Sequence, residues 1–354
     1  MSASRPTLCM INFNGVHHLR ASLTAAVGLT SQFREILLVD DASTDDSVSV
    51  VREEFPGVRL IELARNSGPA VARNAGYRAA GDGRVLFVDN DVLLTENCAP
   101  RLAAALDAHP NAAIAVPAIL YAHDPEMVQY AGAQAHFLGM VAPEAAETSV
   151  RGLGMDPRPM GSLISACFLI DASRWGSEEP FDERFGIYQE DHDLGLRCRL
   201  RGLDLLIVPE ARALHREGTA GLSLRATGEY TERRVYGTIR HRWQVIAKNY
   251  AGRTVILLAP SLLLYEVVQA VGSTVRGSGK VWWEALRWMW SHRTQLLDDR
   301  RRVQSGRRRS DGELLVGGSI PFSAPLARSR AERAALWTLD VVATLNWLLV
   351  KRWL

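Results

Sequence analysis

Short apolar runs alternate with amphipathic stretches through the first part of the chain. Thr7–Phe13, Glu35–Val39, Val58–Leu63, Val85–Val88 and Ala113–Val116 are apolar and rich in leucine or β-branched residues. Between them Ser47–Phe55 and Ala70–Ala80 are amphipathic and bounded by Gly, Asp and Ser. This order predicts βαβαβ units and a mostly parallel, buried sheet flanked by helices, an α/β fold. Ligands of such sheets gather beyond the carboxyl ends of the strands. The pattern therefore brings Asn12–Gly15, Asp40–Asp45, Asn66–Gly68 and Asp89–Asp91 to one crevice.

From Ile119 to Pro159 the periodicity fades into Gly, Pro, Ala and Met. A strand-like run, Leu163–Ile170, follows, then a helix from about Asp193 to Arg201 and a further strand, Leu205–Val208. Beyond residue 225 the character changes. Val255–Gly272 and Leu336–Val350 are strongly apolar, Val281–Trp290 is rich in tryptophan, and Arg300–Arg302 with Arg307–Arg309 form a basic run. The chain divides into a catalytic domain, 1–225, and a helical C-terminal region, 226–354.

Composition narrows the function. A net charge of +2 over 354 residues gives no basis for nucleic-acid binding. Cys9, Cys98, Cys167 and Cys198 lie far apart with no metal-ligand spacing, and read as reduced thiols in a cytosolic protein. No signal peptide precedes the first strand, so the N-terminal domain is expected in the cytosol.

Four acidic or polar clusters carry chemistry. Asp89-Asn90-Asp91 sets two carboxylates at the end of an apolar strand, where two residues of spacing point them to one side if the chain stays extended. Carboxylates that close repel unless a cation or a shared proton intervenes, and hard oxygen ligands suit Mg²⁺ or Mn²⁺, which also bind diphosphate oxygens. A solvated turn is the plain alternative. In Asp40-Asp41-Ala42-Ser43-Thr44-Asp45 one residue caps the next helix, but two adjacent carboxylates exceed what a cap needs. One can accept from the ring N–H of uracil, thymine or guanine, or from a ribose hydroxyl. In the segment Asn66 to Gly76, Gly68 and Pro69 shape a loop entering a helix, and Arg73 is placed to reach base or phosphate, or to sit on a helix surface. Glu190-Asp191 precedes Asp193, the expected cap of the next helix, and either carboxylate can serve as general base. His215 follows a strand, where a neutral imidazole can complete a metal site with Asp91 or serve only the structure.

Taken in order, these pieces resemble the family 2 glycosyltransferases of GT-A fold. The matching segments are Asn12-Phe13-Asn14-Gly15, Asp40 to Asp45, Asn66 to Gly76 with Arg73 and Asn74, Asp89-Asn90-Asp91, Phe181-Asp182-Glu183, Glu190-Asp191 and His215, spanning roughly residues 7–220. Each is weak alone; seven in the right order are specific. The nearest flavour is that of bacterial rhamnosyltransferase-like members acting in envelope polysaccharide assembly. The resemblance implies a nucleotide-diphosphate sugar donor held by Asn12, Asn14, Asp40, Asp41, Asn66, Arg73, Asn74 and Asp89, with Asp41 at the base and Asp89 at the ribose or metal. It implies a divalent cation, Mg²⁺ or Mn²⁺, on Asp89, Asp91 and His215. Asp191 is assigned as acceptor base with Glu190 as runner-up, and the reaction as inverting. Processive relatives carry Gln-x-x-Arg-Trp after the base; Leu194-Gly195-Leu196-Arg197-Cys198 stands there instead, which argues for addition of a single sugar.

The C-terminal region bears on the acceptor. Val255–Gly272 has spanning length but contains Pro260, Glu266 and Gln269, and a carboxylate near a helix centre costs about 2.5–3.5 kcal/mol on insertion. Helices lying in the membrane interface are favoured over a true span, with an ordinary helical subdomain as the alternative. The expectation is a peripheral or monotopic protein at the cytoplasmic face of the inner membrane, with a saccharide or lipid-linked acceptor. A cytosolic transferase with a soluble acceptor and a non-catalytic membrane adaptor are the competing readings. A nucleotide-dependent oxidoreductase is disfavoured because no GxGxxG follows the first strand.

Overall fold

The computed structural model describes residues 5–216, 231–321 and 329–354, so the domain boundary expected at residue 225 lies outside the described residues. The chain forms two compact units: Met1–Ala133 with Pro143–Cys198 and Leu203–Thr227, and Gln134–Ala142 with Arg199–Gly202 and Gly228–Leu354.

The first unit is built on strands β1 (Thr7–Asn12), β2 (Ile36–Asp40), β3 (Arg59–Glu62), β4 (Arg84–Asp89), β5 (Val92–Leu94), β6 (Ala112–Tyr121), β7 (Met127–Tyr130), β10 (Thr148–Ser149), β11 (Arg158–Pro159), β12 (Cys167–Asp171) and β13 (Asp204–His215). β8 (Ala133–His136), β9 (Met140–Pro143) and β14 (Leu315–Val316) make a small sheet of order β14-β8-β9. The large sheet runs β10-β7-β6-β12-β4-β1-β2-β3, with β13 joining β6, β5 and β11. Helices α1 (Val16–Gly28), α2 (Ser47–Glu54), α3 (Pro69–Ala80), α4 (Cys98–Ala108), α5 (Ala172–Trp175) and α6 (Glu190–Leu200) complete it.

The sheet corrects the expectation of a mostly parallel one. β3, β2, β1 and β4 pair in parallel, as the alternating pattern predicts. β12 then inserts antiparallel between β4 and β6, and β6–β7, β7–β10, β13–β5 and β13–β11 are antiparallel too. The sheet is mixed because residues 119–159, too short-ranged in period to read, fold into brief antiparallel strands rather than a crossover helix. β1, β2 and β4 still read as near-continuous apolar runs because both faces are covered. α3 lies so close to β1 that a Cβ on Gly76 would stand 2.1 Å from Cys9 Sγ. All four cysteines are buried free thiols.

The second unit holds helices α7 (Glu232–Asn249), α8 (Gly252–Leu257), α9 (Ala259–Val275), α10 (Gly279–Ser291), α11 (Arg293–Ser305), α12 (Asp311–Leu314) and α13 (Arg330–Val350). The apolar stretch Val255–Gly272 is broken between α8 and α9, where Pro260 sits in the first turn of α9. Glu266, costly in a lipid interior, pairs with buried Arg242, which lies over the Tyr265 ring and donates to Leu138 O. Half of the basic run is engaged internally, while Arg301, Arg302 and Arg308 stay exposed. Arg300 donates to Ala247 O and Tyr250 O at 2.7 Å, Arg307 pairs with Asp311 and Asn249 O, and Arg309 donates to Gly202 O. Arg300 and Arg307 thereby satisfy carbonyls that α7 leaves open at its C-terminus.

Candidate active site

The carboxyl ends of β1, β2 and β4 meet as the sheet pattern requires, and their side chains lock one another. Asn12 donates to Asp40 Oδ1 at 2.8 Å and to Ser43 Oγ at 3.1 Å, and accepts from Asn90 Nδ2 at 2.6 Å. Asn14, with φ 48°, accepts from Thr44 N at 2.7 Å. Gly15 is obligatory here, because a Cβ would stand 1.8 Å from Asn90 Nδ2. Asn12, Asn14 and Asp40, expected on the donor, thus form the floor of the crevice and hold its loops in place. Asn90, which the sequence reading passed over as a spacer, fastens the Asp89–Asp91 turn to β1.

Asp41 is buried, and its two oxygens accept from Ser67 N and Gly68 N at 2.8 and 2.7 Å. It therefore fixes the loop that starts α3. Asn66 stands exposed on that loop.

Arg73 and Asn74 differ from expectation. Arg73, read as reaching base or phosphate, is only 2 % exposed and donates to Asp89 Oδ1 at 2.8 Å and Glu190 Oε1 at 2.9 Å, with the Phe181 ring against it. Two carboxylates on one guanidinium hold the charged form, against the burial that opposes it. Asn74 is clasped by the backbone of Phe181, donating to its O at 2.9 Å and accepting from its N at 3.1 Å. The helix-surface reading of Arg73 fails because this face of α3, which also carries Asn74, packs inward against Asp89 and the turn at 181–186.

Asp91 and His215 converge. β13 pairs with β5, setting His215 opposite Val92, and Arg216 N donates to Asp91 O at 2.8 Å. His215 Nε2 lies 3.2 Å from Asp91 Oδ2, and His215 Nδ1 lies 2.7 Å from Gln129 Oε1. Gln129, buried on β7, carried no sequence signal, since it sits in a strand too short to read. With Gln129 accepting from Nδ1–H, Nε2 faces Asp91: protonated it donates to the carboxylate, and in the neutral ring its lone pair and the carboxylate together suit a cation. Burial works against ionisation of Asp91, but the hydrogen bond and charge of His215 outweigh it and hold the carboxyl below its usual value. The expected trio of Asp89, Asp91 and His215 is corrected to a pair: among the described residues no three such side chains converge. Arg73 draws Asp89 aside, and burial raises the Asp89 carboxyl against the opposing effect of Arg73. A pair still fits the chemistry, because Mg²⁺-type cations commonly take one or two carboxylates and complete their shell with substrate phosphates and water.

α6 begins at Glu190, not at Asp193, so Glu190 and Asp191 occupy its first turn rather than preceding its cap. Asp193 instead pairs with Arg197 at 2.7 Å. Glu190 is buried beneath Arg73, and burial with the neighbouring Asp191 charge pushes its carboxyl up to about 7. Asp191 is partly exposed, accepting from Ser165 N at 3.1 Å and His192 N at 2.8 Å; burial raises its carboxyl as well. Of the two, Asp191 is the one a hydroxyl can approach. His192 is wholly buried against Ser162 Oγ and kept neutral, its pKa lowered to about 4 by burial.

These observations agree with comparison to known proteins. The pattern of glycosyl transferase family 2 matches residues 7–156. An N-acetylglucosaminyl-diphospho-decaprenol L-rhamnosyltransferase of Mycobacterium tuberculosis is 31 % identical over 222 residues, covering 56 % of this chain and 71 % of the relative. The O-antigen biosynthesis protein RfbC of Myxococcus xanthus is 26 % identical over 52 % of this chain, although the match spans only 15 % of that protein. In fold, the chain is similar to GalNAc-T7, solved with UDP, GalNAc and Mn²⁺, at a TM-score of 0.58 and 17 % identity, over 74 % of this chain and about half, 51 %, of that one. That likeness extends to the GT-A-like mixed sheet flanked by helices. The extent of the rhamnosyltransferase match, together with the family pattern over residues 7–156, makes this chain a glycosyltransferase belonging to family 2.

Proposed function

We propose that the protein transfers a single sugar, with inversion, from a nucleotide-diphosphate sugar to a polyprenyl-linked saccharide at a membrane surface. The observation that carries the reading is the pairing of Asp91 with His215 on one side of the crevice and the partly exposed Asp191 on the other. The decaprenol-linked acceptor of the mycobacterial relative supports the acceptor class. In this reaction Asp191 takes the proton of the acceptor hydroxyl while that oxygen bonds to the anomeric carbon. The bond to the diphosphate breaks on the opposite face, and the nucleoside diphosphate leaves with the electron pair. Arg73 keeps Glu190 and Asp89 in place beside it. Asp91 and His215, with Asp89 nearby, would hold a Mg²⁺ or Mn²⁺ ion, which when bound neutralises charge on the diphosphate.

A panel of UDP-, dTDP- and GDP-sugars, scored by thermal stabilisation with and without Mn²⁺, tests the donor reading. One member should raise the melting temperature only with metal present. No stabilisation by any of them would contradict it.

The membrane part rests on the second unit. Leu263, Val267, Val271 and Val275 form an exposed stripe at every fourth residue of α9, and on α10 Trp283 and Trp290 are 64 % and 71 % exposed. On α13, Trp337, Leu345 and Leu349 are exposed, and Arg330–Trp353 is the one helical stretch among the described residues long and apolar enough to cross a membrane. We place this apolar surface, with its interfacial tryptophans, against the cytoplasmic leaflet as a peripheral or monotopic anchor. Because Arg300, Arg307 and Arg309 are engaged internally and only half of the basic run is exposed, attachment should depend more on apolar insertion than on salt. Trp283→Ser with Trp290→Ser is expected to cut co-sedimentation with anionic liposomes severalfold, while raised salt changes it little. Equal binding by variant and wild type, or no binding by wild type, would overturn the anchor.

A further inference from the structure

Helix α3 touches both sides of the site, and its first residues are held to each by backbone. On one side the Asp41 carboxylate accepts from Ser67 N and Gly68 N. On the other, a Cβ at Gly68 would stand 2.9 Å from the carbonyl carbon and oxygen of Gly186, and Ala70 N donates to Gly186 O at 3.1 Å. Gly68 has φ 90°, so glycine is required there both by conformation and by space. Gly186 opens the segment that leads into Glu190 and Asp191. Within it Tyr188 and Gln189 have φ of 73° and 62°, two consecutive side-chain-bearing residues in the left-handed region. Such backbone persists only where its surroundings enforce it, and it clusters where a site must be set or reset. One turn further along α3, Arg73 holds Glu190 and Asn74 holds Phe181, so the same helix grips the far end of this segment and the turn that precedes it.

Resting on the reading of the crevice as a nucleotide-sugar site, we propose that Gly68 and Gly186 are positioning residues. Their backbone contact transmits occupancy of the donor crevice to the segment 186–191 and so sets the Asp191 carboxylate for the acceptor hydroxyl. Neither glycine touches the reacting atoms. A nucleotide that settles residues 66–68 on Asp41 presses the start of α3, where Gly186 meets Gly68 and Ala70. The strained pair Tyr188–Gln189 converts that small displacement into a change in where α6 begins.

The test is hydrogen–deuterium exchange across 183–191 in the full chain, with UDP, dTDP or GDP and Mn²⁺, alongside calorimetric nucleotide affinity and steady-state kinetics. In wild type, the nucleotide that binds should slow exchange in this segment. Gly68→Ala should lose that slowing, and kcat should fall about 10²-fold, as expected of a misplaced catalytic group, with donor KM nearly unchanged. Gly186→Ala provides a second variant, because its Cβ would meet open space and only the backbone preference at φ 66° changes. It should show the same split between kcat and KM. A nucleotide that binds wild type without slowing exchange would overturn the coupling alone, as would both variants keeping wild-type exchange and kcat. If no nucleotide binds wild type with metal, the donor reading falls and the coupling falls with it.

Discussion

Asp191→Asn is expected to lower kcat for transfer by about 10²–10⁴-fold while donor affinity and melting temperature stay close to wild type. The carboxylate is partly exposed, and its bonds from Ser165 N and His192 N fix its orientation while leaving lone pairs for an incoming hydroxyl. The amide keeps the shape but, with Ser165 N on Oδ2 and His192 N on Oδ1, can accept only one of the two bonds, so proton acceptance is lost together with one orienting bond. The pH profile should carry the same signature. A base acts deprotonated, and burial raises the Asp191 carboxyl, so activity should fall on acidification at a pH above the ordinary carboxylate range. Glu190, pushed to about 7, is adjacent, and the acid limb will report the pair rather than either residue alone. Glu190→Gln should cost less transfer than Asp191→Asn, because Glu190 lies under Arg73 and away from the opening. Near-wild-type turnover in Asp191→Asn together with a large loss in Glu190→Gln would reverse the assignment.

Arg73→Met should be the most damaging single change to the fold of the first unit, lowering unfolding free energy in urea by about 3–5 kcal/mol. The methionine fills much of the volume but leaves Asp89 and the fully buried Glu190 without their counter-charge. Arg73→Lys should recover only part of the loss, since one ammonium cannot match the fork that reaches both carboxylates. The sign of the pH dependence is fixed. Without Arg73 both carboxyls move further up, so the folded state binds protons more tightly than the unfolded chain. The variant should therefore regain stability relative to wild type as pH falls from 8 toward 5. An unfolding midpoint unaltered by Arg73→Met would mean the network does little to hold the site.

Much of the catalytic unit was legible because its signals are local. β1, β2 and β4 are continuous apolar runs, and the acidic motifs stand where those runs end, so the crevice followed from period and position. His215 is joined to Asp91 in sequence only by its place after a strand, with a structural role equally open, since β13–β5 pairing is a long-range event with no local mark. Arg73 was misread because helical periodicity says which residues share a face but not what covers it. The covering element is the turn at 181–186, far along the chain. Glu190 and Asp191 were placed before their helix because Asp193 looks like a cap; in the fold it is the partner of Arg197. The basic run shows the same limit. Six arginines in sequence suggest a charged surface, yet two of them, Arg300 and Arg307, close the C-terminal carbonyls of α7.

The most direct test of the central claim is transfer itself. Purified full-length protein, Mn²⁺, the nucleotide sugar picked out by thermal stabilisation and a polyprenyl-diphosphate-linked N-acetylglucosamine acceptor are combined, and the product is analysed by NMR at the new anomeric centre. The expected result is one added sugar per acceptor, of inverted configuration, with one nucleoside diphosphate released per transfer. A product with retained configuration, several sugars added in one encounter, or nucleotide sugar consumed only by hydrolysis would contradict it.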